Sequence, residues 1–289
     1  MHTFKTIDNI RIAYDVYGDD SAHVILLIMG LGRPSCAWPR RLLDQLVRQG
    51  FRVVVLDHRD SCSSYNIDRP LCFFTVFVAF FKKLLKRSIN GCYSLEDMAA
   101  DSVAVLDKLN IKRAHILGIS MGAMIAQVVA YLYPQRVASL ISVMSASGNP
   151  RTGLGKLGAI RGLLSKPSDN SAHAMQAYLR KIFKAIGSPG QSYSDEQIKE
   201  VAEEMVKNGF DVTWSYRQLL AILASGDRSK NLRRIMAPAL VIHGQEDPLL
   251  PLSSGEDGAR LIPNSRMLVV NAMGHDSLAA MIHHIVTAI

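Results

Sequence analysis

Cysteine is scarce in this 289-residue sequence. The four present, Cys36, Cys62, Cys72 and Cys92, include no C-x-x-C pair. That spacing gives no zinc-ribbon or thiol-redox motif, and so few thiols in so long a chain do not form a disulfide framework. A reducing, cytoplasmic setting is expected. Long apolar runs are missing too: none reaches the roughly 20 residues that a membrane-spanning helix needs. The first residues, Met1-His2-Thr3-Phe4-Lys5-Thr6, lack the apolar core of a secretory signal. Charge of one sign is not concentrated. The net charge of +8 is spread along the chain, apart from a short cluster at Lys82, Lys83, Lys86 and Arg87. Without a zinc-finger or RNA-binding signature, it reads as a solvated basic surface, and no nucleic-acid partner is expected.

What the sequence does contain is alternation. Residues 4–7 and 11–17 alternate around the turn signal Asp8-Asn9, as in an antiparallel hairpin. Residues 24–29, 51–56, 114–119, 137–143, 239–243 and 267–271 are short apolar runs, as expected of strands buried on both faces. Helical spacing separates them at 38–49, at 95–106 behind a Ser94…Asp97 cap signal, at 121–133 before Pro134, at 254–261, and from Ser277 onward. Strand and helix in turn imply an α/β fold with a mostly parallel sheet and helices on both faces. The alternation breaks over 148–234, where 171–186, 194–207 and 212–223 all read as helix. That stretch is expected to be a helical cap inserted into a core made of 1–147 and 235–289.

The chemistry centres on Gly118-Ile119-Ser120-Met121-Gly122, a G-x-S-x-G match between a strand and a helix. A serine on so sharp a turn has its Oγ lifted clear of the sheet, and the positions two before and two after it come too close to neighbours to carry side chains. The pattern alone occurs by chance, and its strand–turn–helix setting is what gives it weight. A serine hydroxyl needs a base to take its proton, and the base needs a carboxylate to orient it. Where such an elbow is used, acid and base follow later strands in the order serine, acid, histidine. His275, in Ala272-Met273-Gly274-His275 after the last strand, is the candidate base. Asp247, in Gly244-Gln245-Glu246-Asp247-Pro248, is the candidate acid, with adjacent Glu246 as the alternative. His58 and His243 end strands and are suited to orienting neighbours, and His283 and His284 read as surface or packing residues. The oxyanion formed during acyl transfer needs two fixed N–H donors. Met121, directly after the serine, and Leu31, in the turn Met29-Gly30-Leu31-Gly32, are the candidates. Met29, Gly30, Met124 and Met144 are candidate lining for an adaptable apolar acyl pocket. No Lys-Ser or Lys-Thr follows the glycine-rich turn, so it is not a phosphate loop, and no metal or organic cofactor is implied.

With these residues assembled, the sequence resembles the α/β-hydrolase superfamily along nearly its whole length. Asp57-His58-Arg59-Asp60 followed by Ser63 looks like the family's D-x-R segment, Gly244 to Asp247 like its acid turn, and Gly274-His275 like its G-H. Met29-Gly30, together with Asp57 to Asp60 and Gly118 to Gly122, is similar to the aclacinomycin methylesterase-like esterases. The resemblance implies the α/β-hydrolase fold, a helical cap over the site, and a small-molecule ester as substrate. Thioesterase, lactonase, perhydrolase and carbon–carbon hydrolase activities use the same three residues and stay open, as does a non-catalytic ligand-binding role. Dehalogenases and epoxide hydrolases are disfavoured because they need an aspartate where Ser120 stands. Because His275 must be neutral to act as base, activity is expected to fall on acidification.

The sequence departs from the pattern in having Cys62 where glycine is common, and in a longer stretch between Asn66 and Tyr93. Here an apolar block beginning at Leu71 runs into the basic cluster ending at Arg87. Two readings stand: a peripheral contact with an anionic membrane, or a helix covering the sheet edge or the pocket mouth.

Overall fold

The computed structural model describes residues 1–67, 71, 73–85, 87–190, 193–207, 210–276 and 285. The expected helix from Ser277, with His283 and His284, therefore lies outside the described residues except for Ile285, as does Cys72.

Eight strands form one sheet: β1 (His2–Lys5), β2 (Arg11–Tyr17), β3 (His23–Ile28), β4 (Phe51–Leu56), β5 (Ala114–Ile119), β6 (Val137–Val143), β7 (Ala239–Gly244) and β8 (Ser265–Val270). Their order across the sheet is β1-β2-β4-β3-β5-β6-β7-β8. The first two strands run antiparallel to their neighbours, and all later pairings are parallel. A parallel sheet needs cover on both faces, and β3 and the ends of β4, β5, β6 and β7 are accordingly almost wholly buried. Alternate residues on one strand serve opposite faces. Leu26 and Ile28 pack with Met98, Leu106 and Ile125 from the helices Leu95–Lys108 and Met121–Leu132. Ile25 and Leu27 pack instead with Leu42 and Leu46 from the helix Arg40–Arg48.

The caps anticipated from sequence are formed where polar side chains can reach free amides. Ser94 accepts from the Asp97 amide while Asp97 accepts from the Ser94 amide, so two otherwise unpartnered donors are satisfied at once. The helix expected over 38–49 starts later, at Arg40, behind Pro39 and a short 3-10 turn at Ser35–Ala37. Between β6 and β7 the described residues form five helices: Leu157–Leu163, Ala172–Ile186, Asp195–Lys207, Val212–Ser225 and the single turn Ser229–Leu232. This insert has a core of its own, with Met175, Tyr178 and Leu179 packed against Ile198, Ala202 and Met205.

Candidate active site

The elbow is built by close backbone approach. A Cβ on Gly118 would lie 2.2 Å from the Gly122 carbonyl oxygen, and one on Gly122 would lie 2.1 Å from the Ile28 carbonyl oxygen. Both positions therefore exclude any side chain. Between them Ser120 takes φ 54° and ψ −118°, a conformation that L side chains rarely adopt. Its amide donates to the Val143 carbonyl at 2.9 Å, which ties the turn to the end of β6.

Three side chains from distant parts of the chain meet here. The Ser120 hydroxyl donates to His275 Nε2 at 2.9 Å, and His275 Nδ1 donates to Asp247 Oδ2 at 2.7 Å. The other carboxylate oxygen, Oδ1, accepts from the amides of Leu249 and Leu250, each at 2.9 Å. Burial acts to raise the Asp247 pKa, but His275, the Leu250 amide and His243 outweigh it and hold the carboxyl below its ordinary value. Asp247 is thus an anion with both oxygens engaged. Glu246, the alternative acid, is exposed.

The turn after β3 lies directly over the serine. A Cβ on Gly30 would be 3.3 Å from the Ile119 carbonyl oxygen and 3.4 Å from the Ser120 Cβ, so a larger residue there would crowd the elbow. Met121 opens its helix, so its N–H has no acceptor within the helix. The methionines suggested as pocket lining are all buried, though in different places. Met29 and Met144 join the cluster of Trp38 and Ile242 on one face of the sheet, and Met124 joins the cluster on the other.

Two buried histidines hold loops at the site. His58 Nε2 donates to the Met29 carbonyl at 3.0 Å, and burial drives its pKa down to about 4. His243 Nε2 donates to the Leu250 carbonyl at 2.8 Å, and burial lowers its pKa as well. Both are neutral donors, one steadying the turn over Ser120 and the other the loop that carries Asp247.

The profile of the alpha/beta hydrolase fold matches residues 23–279. The chain belongs to the α/β-hydrolase family. Among its relatives, rhodomycin D methylesterase of Streptomyces peucetius is 24% identical over 93% of this chain and 90% of that protein. A 2-hydroxy-6-oxononadienedioate/2-hydroxy-6-oxononatrienedioate hydrolase of Cupriavidus pinatubonensis is 25% identical over 94% and 88%. The solved meta-cleavage product hydrolase of Pseudomonas fluorescens IP01 shares the fold with a TM-score of 0.70 at 20% identity, covering 97% of this chain and 93% of that one. The chain is a hydrolase of this fold.

The insert supplies residues at this α/β-hydrolase site that the sequence did not single out. Gln218, on the helix Val212–Ser225, accepts the Gly32 amide at 2.8 Å and donates to the carbonyls of Arg59 and Asp60. Next to it, Arg217 reaches both oxygens of Asp60 at 2.8 and 2.9 Å. Ser188, just past the helix Ala172–Ile186, accepts the Gly274 amide at 2.8 Å and donates to Asp276 Oδ1 at 2.7 Å. The His275 amide donates to the Ile186 carbonyl at 2.8 Å. Gly274 is required because a Cβ there would meet the Gly187 backbone at 2.6 Å. Asp276 therefore faces the insert, turned away from the His275 ring. Where Met205, Phe210 and Trp214 of the insert meet Gly32, Pro34, Ser61 and Cys62, the remaining slot is only ≈10 Å³, about enough for one water.

Proposed function

We propose that this hydrolase cleaves carboxylic esters of small molecules through an acyl-enzyme, with Ser120 as nucleophile, His275 as base and then acid, and Asp247 as the carboxylate that orients the ring. The observation that carries this reading is the unbroken line from Asp247 Oδ2 through His275 to Ser120 Oγ, at 2.7 and 2.9 Å. The methylesterase relative supports an ester as the bond cleaved.

In the first half-reaction Ser120 Oγ bonds to the ester carbonyl carbon as its proton passes to His275 Nε2. Charge gathers on the carbonyl oxygen, where the amides of Met121 and Leu31 are the proposed donors. The tetrahedral species collapses, the carbon–alkoxy bond breaks, and the alcohol leaves with the proton from His275. Water then attacks the acyl-serine, giving its proton to His275, and the carboxylic acid departs as Ser120 is reprotonated. Asp247 stays ionised throughout and favours the imidazolium formed in each transition state. The reaction needs no group beyond water.

Rates on p-nitrophenyl esters from acetate to palmitate, for wild type and Ser120→Ala, test the proposal. The substitution should lower kcat by about 10⁴-fold or more. Equal rates in both proteins overturn it. If a fluorophosphonate labels Ser120 while no ester is hydrolysed, the nucleophile stands and the bond cleaved is of another class. A vinylogous 1,5-diketone is then the next substrate to try, given the carbon–carbon hydrolase relative.

A further inference from the structure

The helix Phe73–Leu84 has two unlike sides. Val76 and Ala79 are buried against Tyr216 and Leu220 of the helix Val212–Ser225. One face of this helix is therefore covered by a neighbouring helix. On the other face Phe74, Phe77 and Phe81 fall within one narrow stripe at i, i+3 and i+7, and they are 67, 47 and 48% exposed. Phe80 and Leu85 beside them are exposed as well. Phe77 and Phe81 stack edge to face, with ring centroids 4.8 Å apart. Large apolar side chains gathered on one exposed stripe mark a contact surface.

The charge around the stripe indicates what it contacts. Between Asp68 and Glu96 the sequence has the basic residues Arg69, Lys82, Lys83, Lys86 and Arg87 and no acidic residue. Lys82 and Arg87 are exposed at the end of the helix. Phenylalanines that enter an acyl boundary, flanked by cations that stay at headgroup level, are the chemistry of an interfacial helix. No described helix is long and apolar enough to cross a bilayer, so the contact is with one surface.

We propose that Phe74, Phe77 and Phe81, together with Lys82 and Arg87, dock this protein on the surface of an anionic lipid bilayer. The contacted helix rests on Val212–Ser225, whose Gln218 and Arg217 hold Gly32 and Asp60. Docking would therefore present the side of the molecule joined to the turn over Ser120. The proposal is independent of the esterase reading, since adsorption is measured without turnover.

Co-sedimentation of the full chain with vesicles of phosphatidylcholine alone, and of phosphatidylcholine mixed with phosphatidylglycerol, tests it. Binding to the mixed vesicles is expected, weakened by salt, with little binding to the neutral ones. Phe74→Ser/Phe77→Ser/Phe81→Ser should weaken binding roughly tenfold or more, with rates on a short soluble ester unchanged. Lys82→Glu/Arg87→Glu should remove the preference for anionic lipid, and it carries the test alone if the triple variant does not fold. No binding by wild type, or undiminished binding by the variants, overturns the proposal. So does a wild-type dimer in light scattering that the triple substitution dissolves, because a second copy would then cover the stripe.

Discussion

Arg217 and Asp60 form a two-pronged ion pair, 2.8 and 2.9 Å, with side chains only 2% and 0% exposed. One partner comes from the insert and the other from the loop after β4, 157 residues apart. Asp60 holds a positive φ of 58° and also accepts the Ile67 amide, so the pair fixes a turn as well as a charge. Arg217→Met would leave the carboxylate buried without its cation. Removing one partner of such a pair costs about 3–5 kcal/mol. Urea unfolding should show that loss, and Asp60→Asn/Arg217→Met should regain part of it. A double variant no more stable than the single would count against the pairing as the cause.

Gln218 makes a narrower prediction. Its carbonyl oxygen accepts the Gly32 amide, one residue beyond a proposed oxyanion donor. Gln218→Leu frees that amide and lets the turn over Ser120 wander. We expect kcat on a p-nitrophenyl ester to fall roughly tenfold or more with KM little changed, as for loss of a contact felt only in the transition state. Gln218→Glu retains an acceptor and should recover part of the rate. If KM rises and kcat holds, Gln218 shapes binding instead.

Ser188 acts on the base in the same indirect way. It anchors Gly274 and Asp276, the residues on either side of His275. Ser188→Ala should lower kcat several-fold and shift the pH–rate profile, with Ser188→Thr retaining more activity. An unchanged profile and rate would show that the backbone bond from His275 to Ile186 suffices.

His58 links stability to pH. Burial holds its folded pKa at about 4 against an ordinary 6.5. Between those values the unfolded chain binds a proton that the folded chain does not. The contribution is therefore complete above about 6.5 and is lost as the pH falls towards 4, amounting to about 3 kcal/mol in all. His58→Gln removes the titration while keeping an N–H donor for Met29. Its unfolding midpoint should fall less steeply than wild type between pH 7 and 4.5. Parallel curves would remove His58 from the account.

The sheet was legible because β3 to β6 are short, mostly apolar runs separated by helical spacing. Ser120, Asp247 and His275 were legible because each sits where a strand ends, in the order that an elbow imposes. The contacts of Gln218 with Gly32 and of Ser188 with Gly274 had no such signal: they join residues 186 and 86 positions apart, and nothing local marks either partner. Met124 and Met144 show a related limit. Nearness to the elbow along the chain does not say which face of the sheet a side chain joins. The single turn Ser229–Leu232 is too short to show a helical period.

Ser120 itself carries a last consequence. Its backbone rests in a region where glycine is at ease and serine is not, a difference of about 1–3 kcal/mol. A molecule with glycine at this position would be inert by our reading, and yet harder to unfold.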